Sequence, residues 1–428
     1  MTYNLSKEAL EKIFNPERDK LMKTGRAYYE NRNDIERRRR TVLIRGHEVE
    51  STHLSNNRIA HPFLRKLTDQ KVAYLLAKPF TVQTDDETLL TSLEAIFTKD
   101  FLRMFQAVAR DAIVCGCGWL SVYYDENGVL KFRRLTPENT AAIYNPNDLD
   151  QLDAVVRRFQ IEDTLFYEVW TTDGVETWKD TGKEFESISK RGHFTAGTQS
   201  FNWDKIPLIP FKYNPDALPL ICFVKDIIDN YDQTVSDVAN ILQDTPDAPR
   251  IVQGYSGDIE EFVHNFSVLN TVFVGEGGAV QTLQPHIDVS AYDTHLNRLR
   301  KDLYESGSGV DSQETSAGNL SGTAIRFRYS DLDLDCQRMG NEFSAGLETV
   351  AWFVCEDMKI KGQGEHTPAG TDFIWNTDHI INEAETVQIL NSSKGLISDE
   401  TLLANHPYVT SAAAEQERIK AESGLDTY

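Results

Sequence analysis

Seven apolar side chains recur at helical spacing between residues 220 and 243: Val224, Ile227, Ile228, Tyr231, Val235, Val238 and Leu242. Steps of three and four residues put them on one side of an α-helix. Beside them runs an acidic and amide stripe of Asp226, Asp229, Gln233, Asp237 and Asn240. Pro246 and Pro249 stop the helix. A second helix is expected from about 288 to 305, where Val289, Tyr292, Leu296, Leu299 and Leu303 repeat at the same spacing. Between the two lies a small α/β excursion. It comprises Arg250–Gln253, a short helix near 257–264, and Thr271–Val274 and Ala279–Leu283 around Gly275-Glu-Gly-Gly278. Two amphipathic helices flanking a small module suit a stalk with a cap at its far end.

The rest of the chain alternates helix and sheet. Residues 6–30 read as helix interrupted near Pro16, Pro62–Ala77 as a helix ended by Lys78-Pro79, and about 86–114 as another. From about 119 to 212 the pattern changes to short strands rich in aromatic and β-branched residues. Turns such as Asp173-Gly174 and Glu126-Asn127-Gly128 separate them, which gives an antiparallel β module inserted between helices. Residues 306–322, SGSGVDSQETSAGNLSG, have the composition of a flexible loop. A helix over 322–359 follows, about 55 Å long at 1.5 Å per residue. Then come a strand at Thr371–Asn376, a capping box at Asn382-x-x-Glu385 and a last helix near 411–423. The fold class is α+β, mainly helical.

Chemistry-bearing patterns are weak. Gly307-Ser-Gly309 and Gly275-Glu-Gly-Gly278 lack the Gly-Lys-Ser/Thr ending of a phosphate loop. No Gly-x-Ser-x-Gly elbow or His-Glu-x-x-His occurs. Cys115-Gly-Cys117 is too tight for a zinc knuckle, so the five cysteines read as buried free thiols. Asp331-Leu-Asp333-Leu-Asp335 puts its acids on different faces of a helix, a poor metal cage and a natural solvated or channel-facing helix start. The expectation is therefore no enzyme, no cofactor and no metal. No run approaches the roughly 20 apolar residues of a membrane helix. The N-terminus shows no signal-peptide pattern, so the expected compartment is cytosolic. The net charge is −22, with 44 basic and 66 acidic residues. That balance disfavours a protein that grips DNA phosphates. Glu36-Arg37-Arg38-Arg39-Arg40 reads as a solvated face or a partner contact.

Several segments resemble the portal, or head-to-tail connector, family of tailed phages with Gram-positive hosts. They are Tyr28-Tyr-Glu-Asn-Arg-Asn33, Asn57-Arg-Ile-Ala-His-Pro-Phe63 with Thr68–Pro79, Ser321-Gly-Thr-Ala-Ile-Arg-Phe-Arg-Tyr329, Gly395–Thr401 and Asn405-His-Pro-Tyr-Val409. Ala77 stands where the family has Gly before Lys-Pro. The resemblance implies a ring, typically of twelve subunits, around a channel for double-stranded DNA. It also implies wing, stem, clip and crown regions. The wing would be 1–219, containing the β module, with 321–376. The stem would be 220–243 and 288–307, the clip 244–287, and the crown 377–428. Residues 308–320 would be a tunnel loop, with Asp311, Ser312, Gln313, Glu314, Thr315, Ser316 and Asn319 as its channel candidates. Asp226, Asp229, Gln233, Asp237 and Asn240 would be the stem's lumen candidates, with the apolar stripe packing on neighbouring subunits. Implied partners are other copies of the chain, terminase, scaffold and major capsid proteins, and a head-completion adaptor. The implied location is the portal vertex of the virion, with assembly in host cytoplasm. On this reading the acidic charge suits a conduit, because a basic lining would hold the duplex by counterion-releasing contacts. A minor capsid or adaptor subunit is the alternative.

Overall fold

The computed structural model describes residues 7–50, 54–182, 184–244, 250–253, 258, 260, 275–282, 289–315, 322–377, 383–396, 398, 402–403, 409 and 412–423. In chain order the elements are α1 (Lys7–Ile13), α2 (Pro16–Tyr29), β1 (Thr41–Ile44), β2 (His47–Glu50), α3 (Phe63–Leu76), β3 (Thr81–Gln83), α4 (Glu87–Ile96) and α5 (Lys99–Cys115). The β module holds β4 (Cys117–Tyr124), β5 (Leu130–Leu135), β6 (Thr140–Asn145), β7 (Asp148–Ile161), β8 (Thr164–Thr171), β9 (Gly174–Asp180), β10 (Phe185–Arg191), β11 (Phe194–Ala196), β12 (Gln199–Phe201) and β13 (Leu208–Lys212). Next come α6 (Ile221–Asp244), β14 (Arg250–Gln253), β15 (Ala279–Thr282), α7 (Val289–Ser306), the single turn α8 (Ser312–Thr315) and α9 (Gly322–Ile360). The chain closes with β16 (Asp372–Ile374), α10 (Glu383–Ser392) and α11 (Ala412–Ser423). This is an α+β fold in which helix predominates. Among the described residues, no helix is long and apolar enough to cross a membrane.

The chain forms two compact units. The first comprises Met1–Asp19, Leu67–Pro219 and Ser308–Tyr428, and the second Lys20–Lys66 and Leu220–Gly307. In the first unit, α5 lies against the three-stranded sheet β13-β4-β5 and against α9 through an aromatic core. The Phe105 ring sits 5.1 Å from Phe211 and 5.5 Å from Phe343, and Phe80 bridges to Phe97, Phe373 and Trp375. Each such buried ring contributes about 1.5–3 kcal/mol. The approach of α5 to β4 needs glycine. A Cβ on Gly118 would lie 2.3 Å from the Val108 carbonyl oxygen. Gly116, at φ +89°, ends α5 in the left-handed conformation, where a Cβ would meet the Ala217 carbonyl at 1.9 Å. Arg134, itself exposed, binds the fully buried Asp111 and ties β5 to α5. The five-stranded antiparallel meander β10-β9-β8-β7-β6 buries Ala154, Val156, Tyr167 and Val169 against Leu10 and Phe14. His193 is a structural crosspiece. Its Nδ1 accepts from Trp203 N at 3.1 Å, so Nε2 donates to the Thr171 carbonyl at 2.7 Å. Burial pushes its pKa down to about 4.

Four local expectations differ from the structure. Residues 86–114 form two helices, because Phe97 leaves helical geometry and Thr98 caps the second one through Phe101 N. Thr140–Asn145 is a strand paired with β7, and the expected flexible loop contains the turn α8. Four cysteines are buried, but Cys222 is exposed at the start of α6.

In the second unit, α6 packs on α7, whose Leu299, Leu303 and Tyr304 are buried. His61, Phe63 and Tyr231 make edge and stacked contacts at 4.9–5.6 Å. β14 pairs antiparallel with β15, as does β1 with β2. All but residues 258 and 260 of the helix expected near 257–264, all of Thr271–Val274, and Asn382 of the capping box lie outside the described residues.

Candidate functional site

The polar face of α6 carries four buried or half-buried acceptors at successive four-residue steps: Asp232, Ser236, Asn240 and Asp244. The extended segment 55–61 lies antiparallel along them. Its alternate residues each donate a backbone N–H. Ser55 N bonds Asp244 Oδ1 at 3.0 Å, Asn57 N bonds Asn240 Oδ1 at 2.6 Å, Ile59 N bonds Ser236 Oγ at 3.0 Å, and His61 N bonds Asp232 Oδ1 at 3.0 Å. The geometry closes. Four helical residues advance about 6 Å and drift about 40° around the axis, so at a radius of about 5 Å successive acceptors are about 7 Å apart. Two strand residues span about 6.6–6.8 Å. Segment 55–61 therefore supplies one amide per acceptor while winding obliquely across the helix.

Side chains reinforce the ladder. Asp232, fully buried, also takes Asn33 Nδ2 at 2.6 Å and His61 Nδ1 at 2.7 Å. Arg40 reaches Asp244 at 2.7 Å and the Ser55 carbonyl at 2.6 Å, while Arg38 binds Asp237. Hydrogen bonds from Ser55, then Arg40, hold the Asp244 carboxyl below the usual carboxylate range. Asp229 receives the Tyr28 hydroxyl and, at 2.5 Å, Lys225. Burial and then Asp229 hold the Tyr28 phenol above its ordinary value, so it stays a donor.

This accounts for the five lumen candidates. Asp229, Asp237 and Asn240 are bonded to residues 28–57 of the same unit, whereas Asp226 and Gln233 are exposed. The apolar stripe divides similarly. Val224 and Ile228 are fully buried inside the chain, where an intersubunit contact was expected, and Leu242 is 59% exposed. The basic run also splits: Arg38 and Arg40 turn onto α6, while the Arg37 and Arg39 side chains are 85% and 72% exposed.

A second constellation, in the first unit, surrounds the base of the loop expected at 308–320. Gln70 on α3 makes a two-way pair with Val310, receiving its N–H at 2.9 Å and donating to its carbonyl at 3.1 Å. Lys71 is fully buried and donates to the Ser308 carbonyl at 3.0 Å and to Asp335 at 2.6 Å. Tyr213 donates to the same Asp335 oxygen at 2.6 Å, and Tyr74 donates to Asp333 at 3.0 Å. Burial and the Asp335 charge hold the Tyr213 phenol well above its ordinary value, which keeps it an O–H donor. Val310, Tyr74, Leu332 and Cys336 form the apolar floor. Burial raises the Cys336 thiol to about 12, so it is inert. Asp333 and Asp335, read from sequence as a solvated helix start, are thus internal acceptors. Of the loop candidates, Asp311 accepts from Gln313 N at 3.0 Å, and Ser312, Gln313, Glu314 and Thr315 form α8. Ser316 and Asn319 lie outside the described residues. Among the described residues, no group of His, Cys, Asp and Glu could hold a metal ion.

The sequence reading missed Asp232, Ser236 and Asp244, and also Gln70, Lys71 and Tyr213. The four-residue recurrence of acceptors at 232, 236, 240 and 244 was the available signal for the ladder. Lys71 falls at helical spacing on one face with Leu64, Leu67, Tyr74 and Leu75, but nothing local marks its partner, which lies 264 positions away.

A family model described as "Phage portal protein, SPP1 Gp6-like" matches residues 10–426. The chain is 28% identical over 430 residues to the portal protein of Bacillus phage SPP1, covering 96% of this chain and 86% of that protein. It is 25% identical over 440 residues to the portal protein of Clostridium phage phiCD119, covering 94% of each. Among solved structures it is similar in fold to a chain of the "Neck of empty GTA particle computed with C6 symmetry". That match has a TM-score of 0.51 and 12% identity, and covers 81% of this chain and 90% of that one.

Proposed function

The chain belongs to the SPP1 Gp6-like portal protein family of phages, a structural and not an enzymatic family, and on that premise we propose that it forms a closed ring whose channel conducts double-stranded DNA into and out of the phage head. Phage portal proteins are virion components at the capsid vertex. During assembly, in host cytoplasm, this ring docks terminase, scaffold and major capsid proteins, and afterwards a head-completion adaptor. Twelve subunits is the number the family resemblance implies. The α6–α7 pair serves as stem, and Asp226 and Gln233 are the α6 groups offered to the channel. Asp311, Ser312, Gln313, Glu314, Thr315, Ser316 and Asn319 of the 308–320 loop contact the passing duplex.

One observation carries the conduit reading: two of the four arginines of the basic run are neutralised inside the chain. Arg38 and Arg40 lie on Asp237 and Asp244. The exposed polar groups of α6 (Asp226, Asn230, Gln233 and Gln243) are acid or amide. Such a surface forms no phosphate contacts and leaves a duplex free to slide. Negative-stain imaging of the purified chain tests the ring, and in vitro packaging with residues 311–318 deleted tests the loop. Rings that assemble normally but package or retain little DNA are expected. Absence of rings in the intact protein refutes the proposal, and loss of rings on deletion makes the loop structural.

A further inference from the structure

We propose that Gln70 and Lys71 of α3 are positioning residues for the loop, tying Ser308 and Val310 at its start and Asp335 of α9 beyond it to one helix face. This rests on the conduit reading above. Gln70, Lys71 and Tyr74 stand at i, i+1 and i+4, and the turns of α3 bring them to one side. Their bonds reach two places far apart along the chain. On the near side are the Ser308 and Val310 backbone groups. On the far side are Asp333 and Asp335, well inside α9.

The bonding chemistry suits anchoring. The Gln70 amide engages both polar groups of Val310, as the neighbouring residue in a β-ladder would. Val310 is 6% exposed and its side chain sits on Leu332 and Cys336, so its N–H has no access to water if Gln70 is lost. Lys71 joins the two sides through one ammonium group, binding Ser308 O and Asp335 at once. Ser308 has φ +46°, a left-handed conformation that a non-glycine residue holds only when its surroundings fix it. On the α9 side Leu332 is 1% exposed and Tyr329 still packs on the same apolar floor, whereas Phe327 is 76% exposed. The anchored part of α9 therefore runs from Tyr329 to Asp335.

The experiment compares Gln70→Leu with Gln106→Leu in assembled rings. Gln106 makes a similar bond, Nε2 to the Leu76 carbonyl at 2.9 Å, away from the loop base. It serves as a control for general destabilisation. Hydrogen exchange at the Val310 amide reads the anchor, and in vitro packaging reads the loop. Gln70→Leu is expected to speed Val310 exchange about tenfold or more and to lower packaging severalfold, while Gln106→Leu changes neither. Unchanged Val310 exchange in Gln70→Leu overturns the anchor, as does equal loss of packaging in both variants. Faster exchange with normal packaging keeps the anchor and refutes the loop's placement against DNA, which is the reading of the preceding section.

Discussion

Replacing Ser236 by alanine removes one rung of the ladder on α6 with almost no change in volume. Ser236 is fully buried, and its Oγ is the acceptor for Ile59 N at 3.0 Å. The hydroxyl's own donation to the Asp232 carbonyl at 2.7 Å duplicates a helix acceptor, so its loss matters little. The cost is set by the Ile59 amide, which is left without its partner. An unsatisfied buried N–H costs about 1–3 kcal/mol. At about 2 kcal/mol, local opening becomes roughly thirtyfold more frequent, since 1.4 kcal/mol is tenfold. The assay is native-state hydrogen exchange at Ser55, Asn57, Ile59 and His61. Segment 55–61 is one strand bonded at every second residue, so the expected result is faster exchange at all four positions together. Faster exchange at Ile59 alone would mean four independent bonds. No change at Ile59 would refute the ladder. A double variant with Asn240→Ala extends the test. Adjacent rungs on one strand should be coupled by more than about 0.5 kcal/mol, where independent sites would add.

Three further outcomes are expected. Lys71→Met leaves the Asp335 carboxylate in place without its cation and should cost about 3–5 kcal/mol in chemical denaturation, part of it recovered in Lys71→Met/Asp335→Asn, which removes the charge and keeps an acceptor for Tyr213; additive losses would contradict the pairing. Asp226→Lys with Gln233→Lys changes exposed positions and should move stability by less than about 0.5 kcal/mol, while giving the ring salt-dependent DNA retention and slower packaging; unaltered packaging would remove α6 from the channel. The His366–Asp86 pair, at 2.5 Å, makes stability pH-dependent. Asp86 raises the His366 pKa above its ordinary 6.5, so that contribution is complete below 6.5 and lost as pH rises through the higher folded value. His366 in turn lowers Asp86 below 3.8, so its contribution is present above 3.8 and lost as pH falls through the lower folded value. The melting-temperature difference between wild type and His366→Ala should therefore be widest between these limits and shrink at higher pH; a difference that grows with pH would reverse the assignment.

Helix positions were legible because the signal is local. The stripe on 220–243 and the proline stops give α6 to within a residue or so, and Leu296, Leu299 and Leu303 mark α7. Thr140–Asn145 escaped because Thr-Ala-Ala-Ile-Tyr-Asn alternates poorly and is a strand by virtue of its pairing with β7. The break in 86–114 escaped because Phe97-Thr98 contains neither proline nor glycine. The polar stripe of α6 could be seen, but not what covers it. Asp232 and Asp244 meet donors 171 to 204 positions away. Spacing identifies which residues share a face and is silent on which distant segment occupies it.

The donors in the ladder are backbone amides, whereas the acceptors are side chains. The two partners therefore differ in what mutation can do to them. Any residue except proline presents the same N–H, so Ser55, Asn57 and Ile59 can change identity and keep every rung. On α6 the chemistry is in the side chains, and each of Asp232, Ser236, Asn240 and Asp244 must remain an acceptor of suitable reach. A saturation scan should thus return a lopsided map: a permissive strand with a proline veto, lying on a helix where one residue in four admits almost no substitution.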